Sequence, residues 1–156
     1  MDRPFGSLLE QSRPPEEIIV VDDGSTDRST EIAQSFGEAV TVLSSGGGGA
    51  PKARNLGADY ASGDALMFFD ADDVLGPGVL DSLVNELEKN EDGIIVCPWF
   101  RMEKVDGKWI KRPRSCLPLK NEKNYLSGWI TGRYHPPCSV LWSRTAYQKT
   151  GGGTLK

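Results

Sequence analysis

The feature that most constrains this chain is an apolar run that ends in a cluster of carboxylates. Residues 65–69 are apolar without a break, and Asp70, Asp72 and Asp73 follow within four positions. A short, uninterrupted apolar run is typical of a strand buried on both faces, as in the parallel sheet of an α/β domain. Carboxylates at the carboxyl end of such a strand lie where open α/β sheets bind ligands.

The spacing of Asp70 and Asp72 indicates a bound cation. In an extended segment, residues two apart project to the same side, and like charges that close destabilise each other unless a cation lies between them. Hard carboxylate oxygens suit Mg²⁺ or Mn²⁺, which bind through one or two carboxylates together with substrate phosphates. The pattern predicts a metal–diphosphate site. The alternative is a solvated acidic loop at the end of a strand.

A second segment repeats this arrangement earlier in the chain. Residues 18–21 are four β-branched residues in a row, and Asp22 and Asp23 follow them directly. This predicts another buried strand with acids at its carboxyl end. Two such units in one chain make a chance arrangement less plausible.

Glycines and cations lie between these two units. Residues 44–49 are too rich in glycine for regular structure, which predicts a plain loop or a backbone that approaches a ligand closely. The helical spacing of apolar residues over 53–61 predicts a helix that Gly63 ends. Lys52 and Arg54 lie at its start, where cations oppose the helix dipole. They indicate an anionic partner, with solvated charges as the alternative.

The remaining pattern alternates strands and helices. An Asp106-Gly107 pair between two short runs predicts a two-residue hairpin. The other predicted elements are helices over 27–36, from Pro77 to Leu87, 125–130 and 144–149, and strands over 40–43, 94–97 and 139–142. Alternation of this kind predicts a single three-layer α/β domain over residues 1–156 with a mostly parallel open sheet.

Composition excludes several classes of protein. The 156 residues suffice for one domain with a sizeable core. A net charge of −4 argues against a general nucleic-acid binder, and no apolar run approaches the length of a membrane span. Cys97, Cys116 and Cys138 are widely spaced and odd in number, so they predict neither a zinc site nor a disulfide framework. A cytoplasmic protein is expected.

Three motifs, taken in order, resemble the family 2 glycosyltransferases. They are residues 18–27 (IIVVDDGSTD), residues 52–57 (KARNLG) and residues 69–73 (FDADD), with Pro77 after the third. The resemblance covers roughly residues 8–152 and implies the GT-A fold. It also implies transfer of a sugar from a nucleotide-sugar, commonly UDP-linked, to an acceptor hydroxyl, often with inversion. The acceptor is left open among sugar, lipid and protein.

The resemblance also implies roles for individual residues. Asp23, with Asp22 beside it, is expected to hydrogen-bond the nucleotide base, and Asp72 to bind Mg²⁺ or Mn²⁺. Asp70 is expected at the ribose or the metal. The full set of nucleotide-binding residues expected from the motifs is Asp22, Asp23, Ser25, Lys52, Arg54 and Asp70.

The sequence departs from the family pattern in two ways. By resemblance, a strand that precedes residues 18–21 in the family is absent, and its place is between strands 18–21 and 65–69. Those two must pair directly, borrow a strand, for example from a second copy in a homodimer, or leave backbone groups unpaired. The acid that serves as base in the family usually follows a Gly-Gly pair, and no acid follows Gly152. The chain therefore resembles an excerpt of the family, and its catalytic base is not assigned.

Residues on the acceptor side are predicted from their chemistry. Trp99 and Trp129 can stack on a sugar, and His135 is expected in a loop nearby. Two other classes compete with the transferase. A haloacid-dehalogenase-type phosphatase also places D-x-D after a strand, but it requires Thr or Val where Asp73 stands. The second competing class is a nucleotide-binding or interaction module that has this fold but no transfer activity.

Overall fold

The computed structural model describes residues 2–112 and 135–151. The helices are α1 (Asp2–Leu9), α2 (Ser29–Gln34), α3 (Ala50–Tyr60), α4 (Val79–Leu87) and α5 (Arg144–Lys149), with short 3₁₀ turns at Gly37–Ala39 and Pro137–Ser139. The strands are β1 (Ile19–Asp22), β2 (Thr41–Ser44), β3 (Ala65–Met67), β4 (Ile94–Val96), β5 (Arg101–Val105), β6 (Lys108–Arg112) and β7 (Val140–Ser143). The predicted helix over 125–130 lies outside the described residues.

Strands β1 and β2 form a parallel pair joined through α2. Ile19 lies opposite Thr41, and Asp22 lies opposite Ser44. Helix α2 packs its buried Ala33 into a small cluster with Phe5 and Val40. This β–α–β unit is the part of the predicted parallel sheet that the structure confirms.

A second sheet has the order β3–β7–β4, and both of its pairings are antiparallel. Its central strand, β7, contributes Leu141, which packs with Leu83 and Leu87 of α4 in the main apolar cluster. The prediction of one mostly parallel sheet is therefore wrong for the described residues. The reason is that β7 enters between β3 and β4 from the opposite direction, a pairing that local sequence patterns do not reveal.

Strands β1 and β3 belong to different sheets within the described part of the chain. All four residues of β1 are half-buried, and in the apolar run over 65–69 only Leu66 is buried. The prediction that both runs are buried on both faces is thus wrong. They remain partly open because a cavity of about 1190 Å³ separates them, lined by residues 18–21 on one side and 65–69 on the other.

Polar contacts hold the two sheets together at the amino ends of β1 and β3. The Glu17 carboxylate, just before β1, accepts hydrogen bonds from the Ser62 amide (3.0 Å), the Gly63 amide (3.4 Å) and the Ser62 hydroxyl. These bonds hold the pKa of Glu17 below its usual value, the Ser62 hydroxyl contributing most. Arg144 of α5 donates to the carbonyls of Ala61 and Gly63 at 2.9 and 2.7 Å.

The β5–β6 hairpin confirms the turn prediction. Val105 pairs with Lys108, and the two loop residues Asp106 and Gly107 have φ of 48° and 78°. Positive φ at both central residues is the requirement of a type I′ turn, which Asp-Gly satisfies.

Candidate functional site

The carboxylates after β3 lie in a turn. Strand β3 ends at Met67, and the Asp73 amide donates to the Asp70 carbonyl at 3.0 Å. The argument that Asp70 and Asp72 project to one side assumed an extended backbone, and it does not apply to a turn. Asp72 is exposed and Asp70 half-buried, so both carboxylates are accessible to a ligand.

Arg54 binds Asp70 directly. Its Nη2 lies 2.7 Å from Asp70 Oδ1, and the two side chains are 34% and 47% exposed. An ion pair this exposed contributes about 0.2–1 kcal/mol. Its main effect is therefore to position a guanidinium beside the turn, where it can also contact an anionic ligand. The sequence placed Arg54 and Asp70 in one site, and the structure brings them into contact.

Asp23 connects the carboxyl end of β1 to the glycine-rich segment. One carboxylate oxygen accepts from the Gly49 amide at 2.7 Å, and the other accepts from the Ser45 hydroxyl. Gly46 to Gly49 all have positive φ, between 67° and 134°, a conformation that residues with a Cβ rarely adopt. The glycines thus let the loop turn back so that the Gly49 amide reaches Asp23.

Asp22 accepts hydrogen bonds from the loop that follows it. Its carboxylate accepts from the Ser25 amide at 3.0 Å and from the Gly24 amide at 3.4 Å. Hydrogen bonds from the Ser25 hydroxyl and amide hold the pKa of Asp22 below its usual value. Asp22 therefore stays ionised and shapes the loop that carries Ser25, which is exposed.

Lys52 lies against the glycine loop. Its ammonium group donates to the carbonyls of Ser45 at 2.9 Å and Gly47 at 2.7 Å. The sequence predicted an anionic partner for this cation, and in the structure backbone carbonyls occupy two of its donors. Ser45 and Gly49, which contact Asp23, were not predicted as site residues. A glycine-rich loop directly after a strand was the signal that pointed to them.

Trp99 and His135, the described acceptor-side candidates, follow or precede strands at the same edge as the acidic turn. Both β3 and β4 run antiparallel to β7, so their carboxyl ends meet the start of β7. Trp99 follows β4, and His135 precedes β7, with its Nδ1 3.3 Å from Ser139 Oγ. Burial lowers the pKa of His135, which keeps the ring neutral near pH 7. Trp129 lies outside the described residues.

The described residues offer few ligands for the predicted metal. Among residues 2–112 and 135–151, no group of three or more His, Cys, Asp or Glu side chains comes together as a metal cluster. Mg²⁺ is commonly held by only one or two carboxylates, with waters and substrate phosphates completing its shell. Asp72 is exposed, and Asp70 binds Arg54 through Oδ1 and keeps Oδ2, so each carboxylate has an oxygen to offer such an ion.

The fold and the site together define a class. Carboxylates follow the ends of β1 and β3, and α3 contacts both of them through the Gly49 amide at its start and through Arg54. In α/β proteins, ligands generally bind at the carboxyl ends of the strands, which is where these carboxylates lie. The family model "Glycosyl transferase family 2" matches residues 2–150, so the chain belongs to that family.

Several curated relatives carry the name glycosyltransferase. The chain is 34% identical to the uncharacterized glycosyltransferase RP339 of Rickettsia prowazekii over 97% of its own length and 48% of the relative's. It is 31% identical to the glycosyltransferase GlyG of Streptococcus pneumoniae over 65% of this chain and 35% of that one. It is 36% identical to the uncharacterized glycosyltransferase EpsJ of Bacillus subtilis over 61% of this chain and 28% of that one. The alignments thus span half or less of each relative.

A solved structure supports the GT-A fold. The crystal structure of S. aureus TarS 1-349 matches with a TM-score of 0.70 and 21% sequence identity, covering 96% of this chain and 44% of that one. At this level of identity the likeness concerns the fold. Within the described ranges, no helix has the length and apolar character needed to cross a bilayer.

Proposed function

We propose that this domain binds a UDP-sugar together with Mg²⁺ or Mn²⁺ and transfers the sugar to an acceptor hydroxyl with inversion. The observation that carries the proposal is the pair of carboxylates at the carboxyl ends of β1 and β3. Asp23 is held by the amide of Gly49, the residue just before α3, and Asp70 is held by Arg54 within α3. The beginning of one helix thus positions both carboxylates.

Asp23 and the acidic turn after β3 would contact different parts of the UDP-sugar. A carboxylate such as Asp23 accepts a hydrogen bond from a base N–H, which uracil offers at N3 and cytosine does not. Asp72 and Asp70 would hold the metal, which neutralises charge on the diphosphate leaving group when bound. Arg54 adds a cation that is always protonated and can bind phosphate oxygens with two parallel N–H groups.

The general base is assigned to none of the described acids. Burial and the nearby Asp73 carboxylate raise the pKa of the Cys138 thiol, and Glu103 is paired with Arg112 at 2.9 Å on the hairpin. Asp73 thus lies beside a thiol and Glu103 is held in an ion pair, and this favours a second candidate function. In that alternative, the domain binds the nucleotide as a catalytically impaired module of the same fold.

Calorimetric titration with UDP, with and without Mn²⁺, tests the proposal. We expect UDP affinity to depend on Mn²⁺, and Asp72→Asn to remove most of that dependence. Asp59→Asn, which changes an exposed acid on α3, is the matched control and should leave it intact. UDP affinity that is the same after addition of EDTA would contradict the metal assignment. Release of free sugar from a UDP-sugar, or its transfer, would separate an enzyme from a binding module.

A further inference from the structure

The β5–β6 hairpin gathers much of the exposed apolar surface of the described chain. Of the nine large hydrophobic residues that are exposed in residues 2–112 and 135–151, five lie between positions 100 and 110. Single apolar residues scattered over a surface are ordinary, whereas a contiguous group marks an interaction site. The five are Phe100, Met102, Val105, Trp109 and Ile110.

Both faces of this hairpin are open to solvent. Within the described chain, β5 and β6 pair only with each other. Nine of their ten residues are exposed, and Glu103 is half-buried. A two-stranded hairpin on its own is marginally stable in water and gains stability by packing against another surface. This hairpin therefore has reason to bind a partner.

One face of the hairpin combines apolar side chains with cations. Met102 lies opposite Lys111 and Lys104 lies opposite Trp109, so these four side chains project to the same side. Phe100, two residues before Met102, joins them, because the Lys111 ammonium lies 3.3 Å from the centre of its ring. We call these five residues the Trp109 face.

The Trp109 face is positively charged in a chain whose net charge is −4. Its described residues include two lysines and no carboxylate. Arg3 of α1 adds a third cation, with its guanidinium 4.8 Å from the centre of the Trp109 ring. Glu103 lies on the opposite face, where it pairs with Arg112 at 2.9 Å. The Trp109 face thus fits a partner that is both negatively charged and apolar.

The composition of the face distinguishes among such partners. Interfaces between proteins are enriched in aromatic residues and Met but depleted in Lys, whereas lysines hold two of these five positions. Binding of a nucleic acid depends on cations, and the overall negative charge opposes it. Aromatic rings beside Lys and Arg are typical of segments that lie at the membrane–water interface, where rings enter the boundary layer and cations contact anionic headgroups.

We propose that the Trp109 face docks the protein onto a membrane surface that is rich in anionic phospholipid. Trp109, Phe100 and Met102 enter the headgroup boundary, which interfacial segments reach to a depth of about 5–10 Å. The two lysines and Arg3 stay at the level of the lipid phosphates, since long cationic side chains keep their charged ends in the polar layer. This contact is peripheral and is separate from the proposed nucleotide site.

Co-sedimentation of the whole chain with vesicles tests the proposal. Vesicles of phosphatidylcholine alone are compared with vesicles that contain phosphatidylcholine and phosphatidylglycerol in equal amounts. We expect binding to the anionic vesicles only. It should weaken as salt rises from about 0.1 to 1 M, because the Debye length falls from about 10 to about 3 Å. Equal binding to both kinds of vesicle, or binding to neither, would overturn the proposal.

Matched cation variants on the two faces of the hairpin locate the contact. Lys104→Gln removes a charge from the Trp109 face and should weaken vesicle binding about fivefold, the contribution of one cation at an anionic surface. Lys108→Gln makes the same change on the opposite face, where the charge is held farther from the lipid and is screened. It should leave binding nearly unchanged, and equal losses in the two variants would overturn the proposal.

Apolar variants form a second matched pair. Trp109→Ala should weaken vesicle binding about tenfold through lost apolar burial, while Ile110→Ala on the opposite face should have little effect. Both side chains are exposed, so neither variant opens a core, and urea denaturation checks that the fold persists. Equal losses at the two positions would contradict docking through the Trp109 face.

Long-chain polyphosphate in solution separates a membrane from other anionic partners. It offers negative charge without an apolar layer, so Trp109→Ala should leave polyphosphate binding unchanged. A loss as large as that for vesicles would overturn the proposal, since the ring would then act without a membrane. A sample that sediments as a dimer and becomes monomeric in Trp109→Ala would also overturn it, by showing that a second copy covers the face. Vesicle binding is read without nucleotide, so its outcome is independent of the proposed function.

Discussion

Removal of the Asp23 carboxylate is the change that best distinguishes an effect on folding stability from an effect on nucleotide recognition. Asp23→Ala leaves the Gly49 amide without its acceptor, and the Ser45 hydroxyl keeps the Asp22 carbonyl at 3.4 Å. Gly49 is exposed and Ser45 half-buried, so water replaces much of what is lost. The cost in unfolding free energy should therefore lie near the low end of the ~1–3 kcal/mol for an unsatisfied group.

The effect on nucleotide binding should be larger. Inside a complex, water is displaced from the base, so loss of the acceptor leaves the uracil N3–H unpaired at about 1–3 kcal/mol. We expect UDP affinity to fall about tenfold or more, since ~1.4 kcal/mol corresponds to a factor of ten. CDP affinity should change little. The ratio of UDP to CDP affinity is then the diagnostic quantity, because a general weakening of the site cancels from it.

Ser45→Ala is the matched control for this experiment. It removes one partner of Asp23 and leaves the carboxylate in place. Urea denaturation should show a modest loss of stability, and calorimetry should show an unchanged UDP-to-CDP ratio. Equal affinity of the unmutated protein for UDP and CDP would refute the assignment of Asp23 to the base. An unchanged ratio in Asp23→Ala would refute it as well.

Two further predictions concern stability. Leu141 is buried in the centre of β7 (2% exposed), so Leu141→Ala should lower the unfolding free energy measured by urea denaturation by about 2–5 kcal/mol. Leu9→Ala, at an exposed position, should lower it by less than about 1 kcal/mol. Similar losses at both positions would show that β7 is not central. The pKa of Glu17 is lowered in the folded state, so its stabilising effect is present above its usual pKa of 4.5 and is lost as pH falls through the lower, folded value. Glu17→Gln should flatten that acidic limb, and an unchanged limb would contradict the role of its bonds to Ser62.

The local elements were predictable because their signals are local. The Asp106-Gly107 turn, the helix over 50–60 and the strands at 19–22 and 94–96 each depend on a few neighbouring residues. The prediction that Gly63 ends this helix is wrong, because the helix ends at Tyr60 and Ala61 is already extended. The family was predictable for the same reason, since its three motifs are short and ordered. The D-x-D turn was not predicted, because the apolar residues Phe68 and Phe69 extend the strand pattern past the end of β3.

Sheet order and strand direction depend on contacts distant in sequence. β7 pairs with β3 across more than seventy residues of chain, with Ala65 opposite Ser143, and nothing in its composition marks it as antiparallel. The contacts of Lys52 could not be predicted from the sequence either, because a backbone carbonyl attracts a cation just as an anionic ligand does. The motif residues could be named from the sequence, and their hydrogen-bond partners in the structure could not.

The division of the site between two sheets leads to a last prediction about activity. Asp23 belongs to the β1–β2 pair and Asp70 follows β3, and in the described chain the two sheets share no ladder of hydrogen bonds. Within the described chain, no strand pairing then fixes the distance between the base contact and the diphosphate contact. Misplacement of reacting groups by 1 Å costs about 10²-fold in rate, so turnover of a UDP-sugar by the chain alone should be very slow.

The rate of sugar release from a UDP-sugar measures this turnover, at low protein concentration, where exchange of strands between copies is suppressed by mass action. Robust transfer by the dilute protein would refute the reasoning. It would mean that contacts such as Glu17 with Ser62 and Arg54 with Asp70 already hold the two sheets in the productive arrangement.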